Sequence, residues 1–371
     1  DSRVTTFIEQ LFLPSLVSLN LMLLPASFNA VTRLPSLPTI CPRIKHLCIN
    51  TYTDFFEQQA LTIPDNIFQI VGGYSSLEHL DCNLLSEQSL LHVARMPSLQ
   101  TLAIQLSGDF RPSSRFLQTM DDGPTFIDLH GLEITSPSYD VVGRFLKSSR
   151  LSIRTFKTQI SGMDTVHNLF ACLASQCLHD KLTKLSIVDF DSHGRDDHTQ
   201  TIITMTHLRP LCAFKNLKHL SLMTTSLPLL DDADLQELAM AWPDMRYLEL
   251  RRRETWSKPS RITLSGLVLL LKHCRHLMFV SLVIDATVVP VAISQVLSSE
   301  IRNTKITRLN LRNSLVDSPD VVAAILSDIL PNLRNIITQF PSYAPGAQLQ
   351  HERWEKVVAL IRAASVTKSD S

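Results

Sequence analysis

Two places in the sequence gather possible metal ligands. His273-Cys274-Arg275-His276 offers two imidazoles and a thiol, and His193-Gly194-Arg195-Asp196-Asp197-His198 offers two imidazoles and two carboxylates. Such donors suit zinc, which takes nitrogen, sulfur and carboxylate ligands in a tetrahedral set. Cys274 stands before Leu277 as Cys41 stands before Ile44, so packing within a repeated unit accounts for that thiol. His193 to His198 is polar and lacks apolar periodicity, which predicts an exposed loop. No metal is therefore expected. Arg251-Arg252-Arg253 could meet an acidic partner, or form a solvated loop beside Glu254. The phosphate-binding, dinucleotide, nucleophile-elbow and zinc-protease signatures are all missing. With 10 glycines, phosphate-cradling loops are scarce. No catalytic residue, no cofactor and no enzyme activity are expected.

The elements that must position these side chains repeat along the chain. The phrase L-x-x-L-x-L reads clearly at Leu16-Val17-Ser18-Leu19-Asn20-Leu21, at Leu182-Thr183-Lys184-Leu185-Ser186-Ile187 and at Leu217-Lys218-His219-Leu220-Ser221-Leu222. Copies start at Leu16, Ile44, Leu77, Leu99, Leu129, Ile153, Leu182, Leu217, Met245, Leu277, Ile306 and Leu333, with those at Leu129, Ile153 and Leu333 degenerate. The spacing runs from about 22 to about 35 residues, within the range of solenoid repeats. Each phrase predicts a short strand, its apolar positions in the core and its alternate positions on the other face. Parallel strands need a crossover, usually a helix. Ser86 caps one predicted helix, Asp231 opens a second with acids in its first turn, and Ser318-Pro319 opens a third. Pro14, Pro42, Pro97, Pro243 and Pro331 stop the chain before a phrase. The ninth repeat position holds Leu24, Tyr52, Leu85, Thr225, Arg253 and Ser314, so no asparagine ladder is expected.

These features predict an α/β leucine-rich-repeat solenoid of the ribonuclease-inhibitor-like kind, a curved parallel sheet on its concave side and helices on its convex side. Residues 1–15 would be a partial N-terminal cap, residues 16–345 an array of about 12 irregular repeats, and residues 346–371 a capping helix and tail. Trp354, Val357, Val358 and Ile361 fall on one face of that last helix. The chain starts with Asp1, and upstream sequence is expected. The 371 residues exceed one compact core, which a solenoid resolves by growing along one axis. Lys plus Arg number 35 against 35 Asp plus Glu, a balance that disfavours a duplex nucleic-acid binder. No apolar run is long enough to span a membrane. The 7 cysteines lack paired spacing and read as reduced thiols in a cytoplasmic or nuclear protein.

Alternation places Ser18, Asn20, His46, Cys48, His79, Asp81, Thr101 and Gln105 on the concave face, followed by Lys157, Lys184, Ser186, His219 and Ser221. The later repeats add Tyr247, Glu249, Arg251, Phe279, Ser281, Arg308, Asn310 and Arg312. Tyr247 and Phe279 occupy the same position in adjacent repeats and should lie side by side. Aromatics ringed by arginines have the composition of an interface hot spot. The partner-binding residues expected are Tyr247, Glu249, Arg251, Phe279, Arg308, Asn310 and Arg312, taking an acidic or phosphorylated protein segment. The alternative is that loops or the C-terminal helix cover the two rings.

Cys41-Pro42-Arg43-Ile44-Lys45-His46-Leu47, Ser76-Leu77-Glu78-His79-Leu80, Phe214 to Leu222 and Leu235 to Pro243 resemble the leucine-rich regions of fungal, mushroom-type F-box proteins. The resemblance spans nearly the whole chain. It implies a substrate receptor of a Skp-cullin-F-box ubiquitin ligase, with the repeats holding the target. The F-box itself is missing, so a Skp-type adaptor and cullin are implied only if one lies upstream. The competing expectations are a stand-alone scaffold or inhibitor and, further off, a GTPase-activating protein.

Overall fold

The computed structural model describes residues 13–23, 37–51, 71–83, 85–121, 125–148, 151–161, 166–189, 202–252, 260–288, 301–341 and 344–369. The chain forms two compact units. The first comprises residues 1–164, 175–182 and 190–194, and the second residues 165–174, 183–189 and 195–371.

The first unit holds six parallel strands: β1 (Ser18–Leu23), β2 (His46–Thr51), β3 (His79–Cys82), β4 (Thr101–Gln105), β5 (Gly131–Ser136) and β6 (Thr155–Ile160). The second holds six more: β7 (Lys184–Asp189), β8 (His219–Thr224), β9 (Tyr247–Arg252), β10 (Phe279–Ser281), β11 (Arg308–Arg312) and β12 (Asn335–Thr338). Within each unit neighbours in the sheet are neighbours in sequence. Every one of these strands begins two residues after a phrase start read from the sequence, the degenerate copies included. The fold is an α/β leucine-rich-repeat solenoid.

One turn recurs ahead of the strands. The amide of the first phrase residue donates to the carbonyl three residues back, as Leu217 does to Phe214 at 3.1 Å, Met245 to Trp242 at 3.1 Å, Leu277 to Cys274 at 3.2 Å and Leu333 to Leu330 at 3.0 Å. The residue accepting that bond is buried: Cys41, Met96, Phe126, Phe214, Trp242, Cys274 and Leu330 all fill this slot. Pro42, Pro97, Pro243 and Pro331 follow it directly, at the turn corner where a fixed φ is favourable. At these four strands the proline thus helps to set the entry.

Strand side chains then alternate. Leu220, Leu222, Leu248, Leu250, Leu309 and Leu311 are buried, each such leucine contributing roughly 1.5–3 kcal/mol. β6 departs from this rule. Its core slot holds Thr158, fully buried, whose hydroxyl donates to the Ile134 carbonyl at 2.9 Å. A polar residue there explains why that copy reads so faintly.

The return helices obey their caps. In α1 (Glu87–Ala94) the Ser86 hydroxyl accepts from the Ser89 amide at 3.3 Å. Further along lie α2 (Ser114–Asp121), α3 (Tyr139–Lys147), capped by Ser138, and α4 (His167–Gln176). In α5 (Asp232–Ala241) Asp231 and Asp234 cap reciprocally, at 3.0 and 3.2 Å. Thr263 caps α6 (Leu264–His273) and is itself held by Asp232 of the preceding helix, at 2.7 Å through its amide and 2.6 Å through its hydroxyl. The last helices are α7 (Pro319–Ile329) and α8 (Ala347–Ser369). Trp354, Val357 and Ile361 of α8 are buried, and the Trp354 indole donates to the Ser314 carbonyl at 2.8 Å. None of the seven cysteines forms a disulfide.

Candidate functional site

The core takes one face of the second unit's strands and leaves the other open. Because the strands are parallel and in register, residues of equal repeat position line up in rows across that open face. The first row runs Lys184, His219, Tyr247, Phe279, Arg308, Asn335. Neighbouring strands lie about 4.8 Å apart, close to a ring-stacking distance. The His219 and Tyr247 rings accordingly stack with centroids 4.1 Å apart and 9° between planes, and Tyr247 and Phe279 with 4.4 Å and 12°. All three residues remain partly exposed, and Arg308 is exposed.

The second row is Ser186, Ser221, Glu249, Ser281 and Asn310. Glu249 is only 6% exposed. One carboxylate oxygen accepts from Ser221 Oγ at 2.6 Å and from the Tyr247 hydroxyl at 3.1 Å; the other accepts from Arg251 Nε at 2.7 Å. Burial, then the Glu249 charge, pushes the Tyr247 phenol up to about 12. Burial, then Lys184, lowers His219 against the opposing pull of Glu249. Ser281 Oγ and Asn310 Oδ1 are buried and make no hydrogen bond among the described residues. The row therefore keeps hydrogen-bonding capacity in reserve at its Ser281–Asn310 end.

The third row brings Met223, Arg251 and Arg312. The Arg251 guanidinium contacts the Met223 sulfur as well as Glu249. Arg312 has a left-handed backbone, φ 50°, where the pairing of β11 with β12 shifts register. Its Nη1 donates to Gln339 Oε1 at 2.5 Å. Burial lowers its guanidinium, with Arg251 acting the same way. Beyond this row Arg251 and Arg312 border a small cleft shared with Leu230, Ile262 and Leu282.

The structure gathers Tyr247, Phe279, Arg251, Arg308, Asn310 and Arg312 on one face. The C-terminal helix packs on α7, β12 and the short strand Leu315–Val316. The Glu249 carboxylate lies under the face, where Ser221, Tyr247 and Arg251 all donate to it. The sequence places His219 on the concave face but not among the expected partner-binding residues, whereas its ring extends the stack; its repeat position, shared with Tyr247 and Phe279, carries that signal.

Among the described residues, His273, Cys274 and His276 do not gather into a ligand set. Cys274 is 1% exposed, and its thiol points to the Ala239 and Trp242 carbonyls at 3.6 and 3.3 Å. Burial pushes it up to about 12. His276 Nδ1 instead accepts from Lys305 Nζ at 2.9 Å. His193 to His198 lie outside the described residues, as does Arg253.

In-register rows on an open parallel sheet, with capped helices returning the chain, define a leucine-rich-repeat protein of the α/β class. No family model matches this chain, and no curated protein matches it. Among solved structures, one described as the crystal structure of Rad7 and Elc1 complex in yeast aligns with a TM-score of 0.42 and 13% identity, covering 92% of this chain and 82% of that chain. That degree of likeness transfers no residue roles. No described helix is long and apolar enough to cross a membrane.

Proposed function

We propose that this chain is a protein-recognition module whose open sheet face binds an acidic or phosphorylated segment of a protein target. The observation that carries this reading is the His219–Tyr247–Phe279 stack, flanked in register by Lys184 and Arg308. The ring edges offer apolar contact at little entropic cost, while the flanking cations favour anionic side chains. Arg251 and Arg312 add positive charge in the third row, where Arg251 also holds Glu249.

In the fuller form of this proposal, the module is the substrate-binding part of an F-box-type receptor of a Skp-cullin-F-box ubiquitin ligase, acting in the cytoplasm or nucleus. Support comes from the resemblance of the repeat phrases to fungal F-box proteins. The module performs no chemistry; its partners carry out ubiquitin transfer and target degradation.

Affinity purification of the tagged native full-length protein tests both levels. Recovery of a Skp-type adaptor and a cullin supports the ligase reading; their absence, with targets still recovered, leaves a stand-alone scaffold. Tyr247→Ala combined with Arg308→Ala should lower target recovery at least tenfold, the effect of losing one anchor worth about 1.4 kcal/mol or more. Recovery unchanged by that pair overturns the recognition face itself. Binding should also weaken with rising salt, since Arg308 is exposed.

A further inference from the structure

In the first unit the same in-register logic joins two histidines that are distant in sequence. His46 opens β2 and His79 opens β3, and the two face each other across the strands. Their rings stack with centroids 4.2 Å apart and 10° between planes. Glu78 stands beside them. One donor atom from each of His46, Glu78 and His79 lies within 4.8 Å of the others. His46 is exposed and the other two are partly exposed, so the group is open to solvent.

Thr101 continues the row on the next strand. Its hydroxyl is hydrogen-bonded to His79 Nδ1, which leaves Nε2 as the nitrogen for a further ligand. Holding one ring nitrogen through an outer hydrogen bond is how metal-binding histidines are oriented. Lys45 Nζ pairs with Glu78 Oε1 at 2.6 Å and marks the place where positive charge is accepted.

We propose that His46, Glu78 and His79 form a surface site for a divalent transition-metal ion of the zinc, nickel or copper class. Two imidazoles and one carboxylate suit these metals better than magnesium or calcium, which favour oxygen ligands. Three protein ligands leave at least one coordination position to water. An ion lies in the plane of each ring that binds it, so two parallel rings cannot both donate to one ion as they stand. The exposed His46 ring must turn out of the stack, and the ion replaces the Lys45 ammonium at Glu78. Cys48 and Asp81, one step along the same strands, lie outside this set, the thiol hydrogen-bonded to Asp81 Oδ2 at 3.6 Å.

Calorimetric titration of the chain with zinc chloride and nickel chloride at neutral pH tests the site, with circular dichroism confirming that each variant is folded. One saturable equivalent is expected. It should vanish in His46→Gln and in His79→Gln, weaken about tenfold in Thr101→Val, and persist in Cys48→Ser. No saturable binding by the unaltered chain overturns the proposal. So does binding that survives both histidine substitutions, or that is lost with Cys48 alone, since thiols would then hold the ion.

Discussion

Glu249 places a charge where the same row elsewhere carries serine or asparagine. It survives burial because three donors meet its two oxygens, among them the guanidinium of Arg251. The tyrosine ring above it is thereby fixed from below by its hydroxyl and from both sides by stacking. Such a ring is pre-organised, so little side-chain entropy remains to be lost when a partner arrives. The alternation rule named Glu249 from sequence but could not tell that the carboxylate turns inward, because that depends on Ser221, Tyr247 and Arg251 being brought together by register. Tyr247 and Phe279 were legible because equal repeat positions become neighbours.

The histidines of the rows make a pH prediction. Burial is the first cause that lowers both His219 and His79 below 6.5. In acid the unfolded chain takes up those protons before the folded one does. The associated stability is fully present above about pH 6.5 and is lost as the pH falls through the folded-state values. Urea unfolding midpoints of the unaltered chain should therefore drop below pH 6.5 more steeply than those of a His79→Gln/His219→Gln double variant. Parallel acid limbs for the two proteins would refute this.

Among the elements, the strands were the most legible and the ties between helices the least. Strand entries follow from a local rule, an apolar phrase preceded by a turn with a bulky buried residue. Even the copy with Thr158 keeps its place, because flanking repeats impose the register. The link from Asp232 to Thr263 joins residues of different repeats, and no local pattern announces it. Gly266 stands so close to the Asp232 carboxylate that an added Cβ would overlap it. Helix propensity alone would favour Gly266→Ala by roughly 1 kcal/mol. Displacing Asp232 from Thr263 costs more, since two hydrogen bonds to a charged group are worth roughly 1.5–3 kcal/mol each. Net destabilisation of about 2–5 kcal/mol is expected in denaturant unfolding. With Asp232→Ala in the background the same substitution should cost far less, and equal costs in both backgrounds would rule this contact out.

At the scale of the molecule, a repeat array exposes an apolar edge wherever it stops, and its stability depends on what covers that edge. In the second unit α8 packs on α7 and β12, with Trp354 buried and hydrogen-bonded to Ser314. Trp354→Ala should destabilise this unit by about 3–5 kcal/mol. Hydrogen exchange is expected to quicken first in α7 and β12, and a uniform rise along the chain would count against that local account. The apolar stripe of α8 was plain in the sequence, whereas its seat against Ser314 was not.

The separation between paired strands has a kinetic corollary. Ser221 meets Glu249 across a sequence distance of 28 residues in a chain of 371, and the other registered pairs within each unit are similarly near. Contacts this local in a chain this long imply a small loop-closure cost for each repeat added. Folding of either unit can begin at whichever pair of repeats docks first and extend outward one strand at a time, without waiting for its two ends to meet.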